Sequence, residues 1–189
     1  DTAGLQDDLI SALVQLAYVA ERAEPTDETH TVMLEGLFTT ITNVNFDNEA
    51  IQKQIAKTET EILRLASKGG AKDADKNYKY NVKELWTSDE DIRSLKSLIL
   101  FGLKGMAAYA YHALVLGYTD NEVNNFFYKG LRMVGMEDTD AAALLPVVLE
   151  TGQVNLKCMA LLDQANTETY GTPVPVTVPL TIEKGPFIV

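Results

Sequence analysis

The sequence predicts an all-α protein, with six helices forming two small three-helix bundles and an extended tail at the C-terminus. Three observations carry this. Apolar residues recur three and four positions apart through long segments. Capping residues stand before these segments, and Gly or Pro follows them. A long polar connection divides the six segments three and three. The division places the first bundle at residues 1–70, the connection at 71–88, the second bundle at 89–171 and the tail at 172–189.

The first helix is expected from Thr2 to Arg22, with Leu5, Leu9, Leu13, Leu16 and Ala20 on its apolar stripe; Ile10, Val14 and Ala17 widen it, and Pro25 acts as the stop. The second starts at Asp27 or Thr29 and carries Met33, Leu34, Leu37, Phe38 and Ile41 to about Thr42. Asn43-Val44-Asn45-Phe46 reads as a turn, and Asp47 as the N-cap of the third helix. That helix places Ile51, Ile55, Ile62 and Leu65 on one side and ends at Gly69-Gly70.

From Ala71 to Thr87 the periodicity breaks. Lys and Asp dominate, then Tyr78, Tyr80 and Trp86 appear, which reads as a connection pinned to a bundle by aromatic anchors, with full disorder as the alternative. Ser88 and Asp89-Glu90-Asp91 open the fourth helix, where negative charge complements the helix dipole. It is expected to reach Gly117 with Ile92, Leu95, Ile99, Leu103, Met106, Ala110 and Ala113 inward. Asp120 caps the fifth, which carries Val123, Phe127, Leu131 and Val134 and closes at Gly135. Asp138 or Asp140 caps the sixth, which holds Leu144, Val148, Val154, Met159 and Leu162. Pro146 either fits its first turns or kinks it. Beyond Tyr170-Gly171, Pro173, Pro175 and Pro179 alternate with valines, which favours extended chain and forbids helix.

Composition bounds the function. With 46% hydrophobic and 23% charged residues, the chain is an ordinary globular sequence. Its net charge of -11, with 27 acidic against 16 basic residues, argues against a nucleic-acid partner. Leu98 to Leu116 is the most apolar stretch, but Lys104 and His112 interrupt it, so it reads as a core helix and not a membrane span. Cys158 is the single cysteine, which excludes an intrachain disulfide and suits a reducing compartment. Both ends look cut: there is no initiator Met, and Phe187-Ile188-Val189 closes the chain on apolar side chains. Leaving each of these in water forgoes roughly 1.5–3 kcal/mol. They read as the stump of a strand belonging to a sheet outside this sequence.

Catalytic constellations are not found. His30 and His112 lie on different helices, and neither has a Glu three residues before it, as a di-iron carboxylate bundle requires. Cys158 alone cannot hold an iron–sulfur cluster or a structural zinc, and among Val154, Met159 and Leu161 it reads as a buried inert thiol. Gly102-Leu103-Lys104-Gly105 lacks phosphate-loop spacing and reads as close helix packing. Asn43 and Asn45 read as turn residues. No residue is assigned a catalytic, cofactor-binding or metal-binding role.

Several segments nevertheless carry a resemblance. Leu37-Phe38-Thr39-Thr40-Ile41-Thr42-Asn43-Val44-Asn45-Phe46-Asp47 resembles the helix-to-turn signature of hybrid-cluster (prismane, or hydroxylamine reductase) proteins. Arg93-Ser94-Leu95-Lys96 and Phe101-Gly102-Leu103-Lys104-Gly105-Met106-Ala107-Ala108-Tyr109-Ala110 are similar to that family's central helix, and His112-Ala113 and Val115-Leu116-Gly117 continue it. Thr2-Ala3-Gly4-Leu5-Gln6-Asp7, Glu150-Thr151-Gly152, Met159-Ala160-Leu161-Leu162-Asp163, Ala165-Asn166-Thr167 and Tyr170-Gly171 match in order. Thr172 departs from the family, where a His commonly follows Tyr-Gly.

The resemblance implies a parent oxidoreductase that reduces hydroxylamine, and in some readings nitric oxide, in the cytoplasm. The parent would use an iron–sulfur cluster, held by a cysteine-rich segment absent here, and a hybrid iron–sulfur–oxygen cluster carried by two α/β domains. This chain would be the helical scaffold that those domains pack against; alone it would bind neither cluster and catalyse nothing. The alternative is a stand-alone acidic helical interaction module. Neither reading calls for nucleic acid or a membrane.

Overall fold

A computed structural model describes residues 1–42, 46–68 and 78–178. The described residues are helical with no strand, as the periodicity predicts. The helices are α1 (Thr2–Ala20), α2 (Asp27–Thr39), α3 (Asn48–Lys68), α4 (Lys83–Thr87), α5 (Glu90–Val115), α6 (Asn121–Gly135) and α7 (Ala141–Tyr170). Seven helices are therefore described where six were expected. The additional one, α4, is a single short helix inside the connection, where buried Leu85 ties it to the core.

Aspartates set most of the starts. The side chains of Asp1, Asp120 and Asp140 accept the backbone N–H three residues on, at 2.7, 3.0 and 2.8 Å. Asp47 takes those of Glu49 and Ala50, and Asp89 that of Asp91. Each cap satisfies a donor that the first helical turn leaves unpaired. Of the two caps open for the last helix, Asp140 is the one used. Asp89, not Ser88, caps α5, and Ser88 instead turns back to the Leu85 carbonyl at the end of α4. The second helix starts at Asp27, after a reciprocal Thr26–Thr29 capping box.

Helix ends fall slightly inside the expected limits. α5 stops at Val115 because Gly117 takes a left-handed φ of 85° and the Gly117 and Tyr118 amides bond back to the Leu114 and Ala113 carbonyls. This is the Schellman closure, which a glycine adopts without a Cβ penalty. Pro146 lies within α7, which runs on through it to Tyr170. The expected turn at Asn43–Asn45, the Gly69-Gly70 stop and the terminal residues 179–189 lie outside the described residues. Residues 171–178 carry no helix and leave Val174, Val176 and Val178 exposed.

α1, α2 and α3 pack on one another, as do α5, α6 and α7. The two triplets also meet directly, α1 against α6 and α2 against α5, so the buried side chains form one continuous cluster. Glycines set some of the approaches. A Cβ on Gly135 would come within 2.5 Å of Val14 Cγ1, and Val14 is fully buried with a stiff β-branched side chain. Gly135→Ala is therefore expected to destabilise the chain by about 1–3 kcal/mol, read as a lowered denaturation midpoint. The connection closes over the same place: Tyr78 and Tyr80 donate hydrogen bonds to the Gly135 and Val134 carbonyls at 3.2 and 3.4 Å. Tyr78 stacks on Tyr18 with ring centroids 4.0 Å apart, and Arg22 and Arg132 lie over the Tyr18 ring. These are two of the aromatic anchors the sequence suggests; Trp86 stays half-exposed.

Candidate functional site

The residues that sequence reasoning weighed for chemistry are dispersed. His30 on α2 bonds through Nδ1 to the Tyr128 hydroxyl on α6 at 2.8 Å. Burial raises the Tyr128 phenol pKa, so this hydroxyl keeps its proton near neutral pH. The same burial lowers His30 below the ordinary imidazole value, against a smaller opposing pull from Asp27. His112 is exposed on α5, edge-on to Phe38 and beside Tyr111. Cys158 is fully buried, its thiol donating to the Met106 carbonyl at 3.4 Å, and burial pushes its pKa up to about 11. Such a thiol is not a nucleophile near neutral pH. Neighbouring Lys157 turns away to Glu122 and Asp120.

Gly102 makes the close packing expected of it: a Cβ there would come within 2.5 Å of the Thr151 methyl on α7. Lys104, two residues on, is half-buried, and burial lowers its pKa against the opposing charge of Asp7. A groove of about 510 Å³ runs between α1, α3 and the connection, lined in part by Asp8, Ser11, Glu59, Lys79 and Lys83. Its lining carries both acidic and basic side chains and holds no His or Cys. Among the described residues no three His, Cys, Asp or Glu side chains converge to hold a metal ion.

Polar groups that do converge bind helices together. Glu61, 3% exposed, accepts from Arg64 Nε and Nη2, both at 2.6 Å, and from the Thr29 hydroxyl at 2.5 Å. Arg64 Nη2 continues to the Thr26 hydroxyl at 2.7 Å, so the network clasps the start of α2 to α3. Burial pushes the Glu61 carboxyl up, but the hydrogen bonds from Arg64 and Thr29 and the Arg64 charge outweigh it and hold the pKa below the usual carboxylate value. Lys96 is likewise buried and donates to the Met136 carbonyl. This chemistry is structural.

The feature with the character of a working surface is apolar. α5 leaves Leu98, Phe101 and Tyr109 exposed, and α7 leaves Leu145, Leu149, Leu156 and Met159 exposed. On α7 these positions fall four, seven and three residues apart and on α5 three and eight apart, so on each helix they share a face. The remaining contacts show where the faces point. On α7, Glu150 and Lys157 reach Lys129 and Glu122 of α6, while Thr151 and Cys158 meet Gly102 and Met106 of α5. The exposed α7 stripe lies on the side of the helix turned away from both α5 and α6, and the α5 stripe lies about a quarter-turn from that helix's α7-facing side. A fully exposed Leu or Phe forgoes roughly 1.5–3 kcal/mol of burial, which makes a contiguous row of them costly without a partner.

Sequence reasoning missed this face. It placed Met159 inward, whereas Met159 is 42% exposed, and it treated α5 as a core helix alone. By length and composition α5 is apolar enough to cross a membrane, yet its buried residues Ile99, Leu103, Met106 and Ala110 lie in the core. The available signal was the number of large apolar residues on α5 and α7 beyond those one inward stripe can use.

Comparison with known proteins places the chain. The Prismane/CO dehydrogenase family profile matches residues 1–189. A hydroxylamine reductase from Chlorobaculum tepidum is 44% identical over 94% of this chain and 36% of that protein. Another, from Solidesulfovibrio magneticus, is 40% identical over the whole chain and 39% of that protein, and one from Thermoanaerobacter pseudethanolicus is 39% identical over the whole chain and 38% of that protein. The chain thus spans less than half the length of these relatives. With a family profile matched from end to end and whole-chain identity near 40%, the chain belongs to the Prismane/CO dehydrogenase family.

Proposed function

We propose that the chain is a helical scaffold domain of a cytoplasmic hydroxylamine reductase, whose reaction takes place on a cluster held by residues outside these 189. The observation that carries this is the identity of about 40% along the whole chain to proteins named hydroxylamine reductase. The donor chemistry fits a scaffold role. An iron–sulfur cluster takes several thiolates, and the one thiol here, Cys158, is buried, protonated and bonded to a backbone carbonyl. The described residues therefore do not fit either cluster of the family, and no step of the reduction is assigned to them. Their contribution is a rigid single core and an apolar face that the rest of the enzyme can cover.

The overall reaction converts hydroxylamine, two electrons and two protons to ammonia and water. The test is to express the complete gene product anaerobically, measure its iron, and follow ammonia formation from hydroxylamine with a reduced viologen dye as electron donor. Iron-dependent ammonia formation is the expected result. A gene product that contains iron yet forms no ammonia from hydroxylamine overturns the assigned substrate, and one that takes up no iron overturns the enzyme assignment.

A further inference from the structure

We infer that Tyr18 and Tyr78 form an oxidative cross-linking site, at which a one-electron oxidant of phenols joins α1 to the connection by a carbon–carbon bond between the two rings. The site does not depend on the reaction of the parent enzyme, because it rests on the geometry of this pair.

The pair stands out by its contact. The two rings are stacked with centroids 4.0 Å apart and planes 10° from parallel. Among the described residues it is the one pair of tyrosines in ring contact. Tyr111 also lies against an aromatic face, but its neighbour is Phe38, 4.7 Å away, which has no phenol to oxidise.

Both rings are held from more than one side. Tyr18 is fixed on α1, and the Arg22 and Arg132 guanidinium carbons lie 3.8 and 4.5 Å from its ring centre. Arg132 reaches across from α6 and is itself held by Glu21 at 2.8 Å. Tyr78 is tied at its far end, where the hydroxyl donates to the Gly135 carbonyl at 3.2 Å. Tyr80, two residues on, repeats that anchor on the Val134 carbonyl at 3.4 Å. The rings therefore stay face to face without any rearrangement of the fold.

Phenoxyl radicals combine in a way that suits this arrangement. Oxidation of a tyrosine removes one electron and the phenolic proton, and the unpaired electron spreads to the ring carbons ortho to the oxygen. Burial raises the Tyr78 phenol pKa, against the opposing charge of Arg132, so near neutral pH its proton leaves only with the electron. Once both rings are oxidised, two ortho carbons bond along the perpendicular to the ring planes, which is where a stacked partner lies. Each bonded carbon then releases its hydrogen as a proton while each oxygen regains one, and both rings return to aromatic phenols. In total the pair gives two electrons to the oxidant and two protons to water, and gains one carbon–carbon bond. The radicals are neutral, so the guanidinium charges beside Tyr18 do not repel them.

The bond ties the connection to α1 beside Gly135, where α1 and α6 approach most closely through Val14. It closes a long loop that contains α2 and α3. A covalent closure of that kind restricts the unfolded chain and so raises the stability of the folded one.

The experiment uses the complete gene product, illuminated with tris(bipyridine)ruthenium(II) and persulfate. The ruthenium(III) complex formed by light takes the electrons, and digestion with mass spectrometry locates the products. The expected result is a linked peptide pair holding Tyr18 and Tyr78, two hydrogens lighter than the sum of its parts. It should be at least fivefold more abundant than any other linked pair containing either tyrosine, with a yield unchanged by dilution. Tyr78→Phe keeps a ring in the stack and should abolish the link, while Tyr111→Phe should leave its yield as it is. The linked protein should also unfold at a higher temperature than the unoxidised one.

Single-ring oxidation of Tyr18 and Tyr78 without a bond between them overturns the proposal. So does oxidation that collects at half-exposed Trp86 while both tyrosines stay intact. A yield that falls on dilution overturns it in favour of contact between copies of the chain, and a link that survives Tyr78→Phe removes Tyr78 as the partner.

Discussion

Replacing Phe127 with alanine should lower the stability of the chain by about 3–5 kcal/mol, measured by chemical denaturation. Phe127 heads the fully buried side chains by volume and is 1% exposed. It lies on α6, the helix that packs on α1 as well as on α5 and α7, so a void there sits where the two triplets share their core. The cost has two parts: transfer of the ring to water, and the cavity left behind when close-packed neighbours relax only partly. Domains of this size hold about 5–15 kcal/mol in total, so the variant should be substantially unfolded by mild denaturant. A single unfolding transition that shifts as a whole is expected because the core is continuous. Loss of only one triplet's helical signal would show instead that the triplets unfold separately.

Arg64→Met should cost about 2–3 kcal/mol at neutral pH, because it leaves the Glu61 carboxylate buried without its bidentate partner. The methionine keeps much of the aliphatic packing, so the loss reports the charge and the hydrogen bonds to Glu61 and Thr26. The pH dependence has a definite sign. The folded-state pKa of Glu61 is below its unfolded value, so the stability it contributes is fully present above the unfolded carboxylate pKa and is lost as pH falls through the folded value. The deficit of Arg64→Met relative to the wild type should therefore be largest at neutral pH and shrink in acid. Denaturation curves of the two proteins that stay parallel from neutral pH into the acid range would show that Glu61 is not the coupled group.

Much of the fold was legible because it is written in local chemistry. Asp47 and Asp120 were readable as caps, and Asp138 or Asp140 for the last helix, since an Asp before an apolar-periodic segment satisfies amides in the very next turn. Gly135 was readable as a helix end, and Tyr78 and Tyr80 as anchors, because large aromatic residues in a polar connection are costly to leave in water. The short α4 was not readable. Five residues carry too little periodicity to stand out, and buried Leu85 is held by the core beneath it. Nor was the exposure of Met159. It lies one residue from buried Cys158 and four from half-buried Asn155, and helical spacing alone does not fix where a wide apolar stripe stops being inside.

The candidate face shows the same limit at larger scale. Sequence established that α5 and α7 are rich in apolar residues and that the chain resembles a family of longer redox proteins, but it gave Gly105 the same meaning as Gly102. Only the packing separated them. Gly102 faces the Thr151 methyl, while Gly105 and Gly152 face open space.

By itself, then, the sequence determined the helices, their caps and the family, because these depend on periodicity, on hydrogen bonds spanning three or four residues, and on residue identities in order. The tertiary structure decided which side of α5 and α7 is core and which is surface, how Glu61, Arg64 and Thr29 close into one clasp, and which glycines are filled. Each of those depends on which helix lies opposite, a relation between residues far apart in the chain that no local pattern encodes.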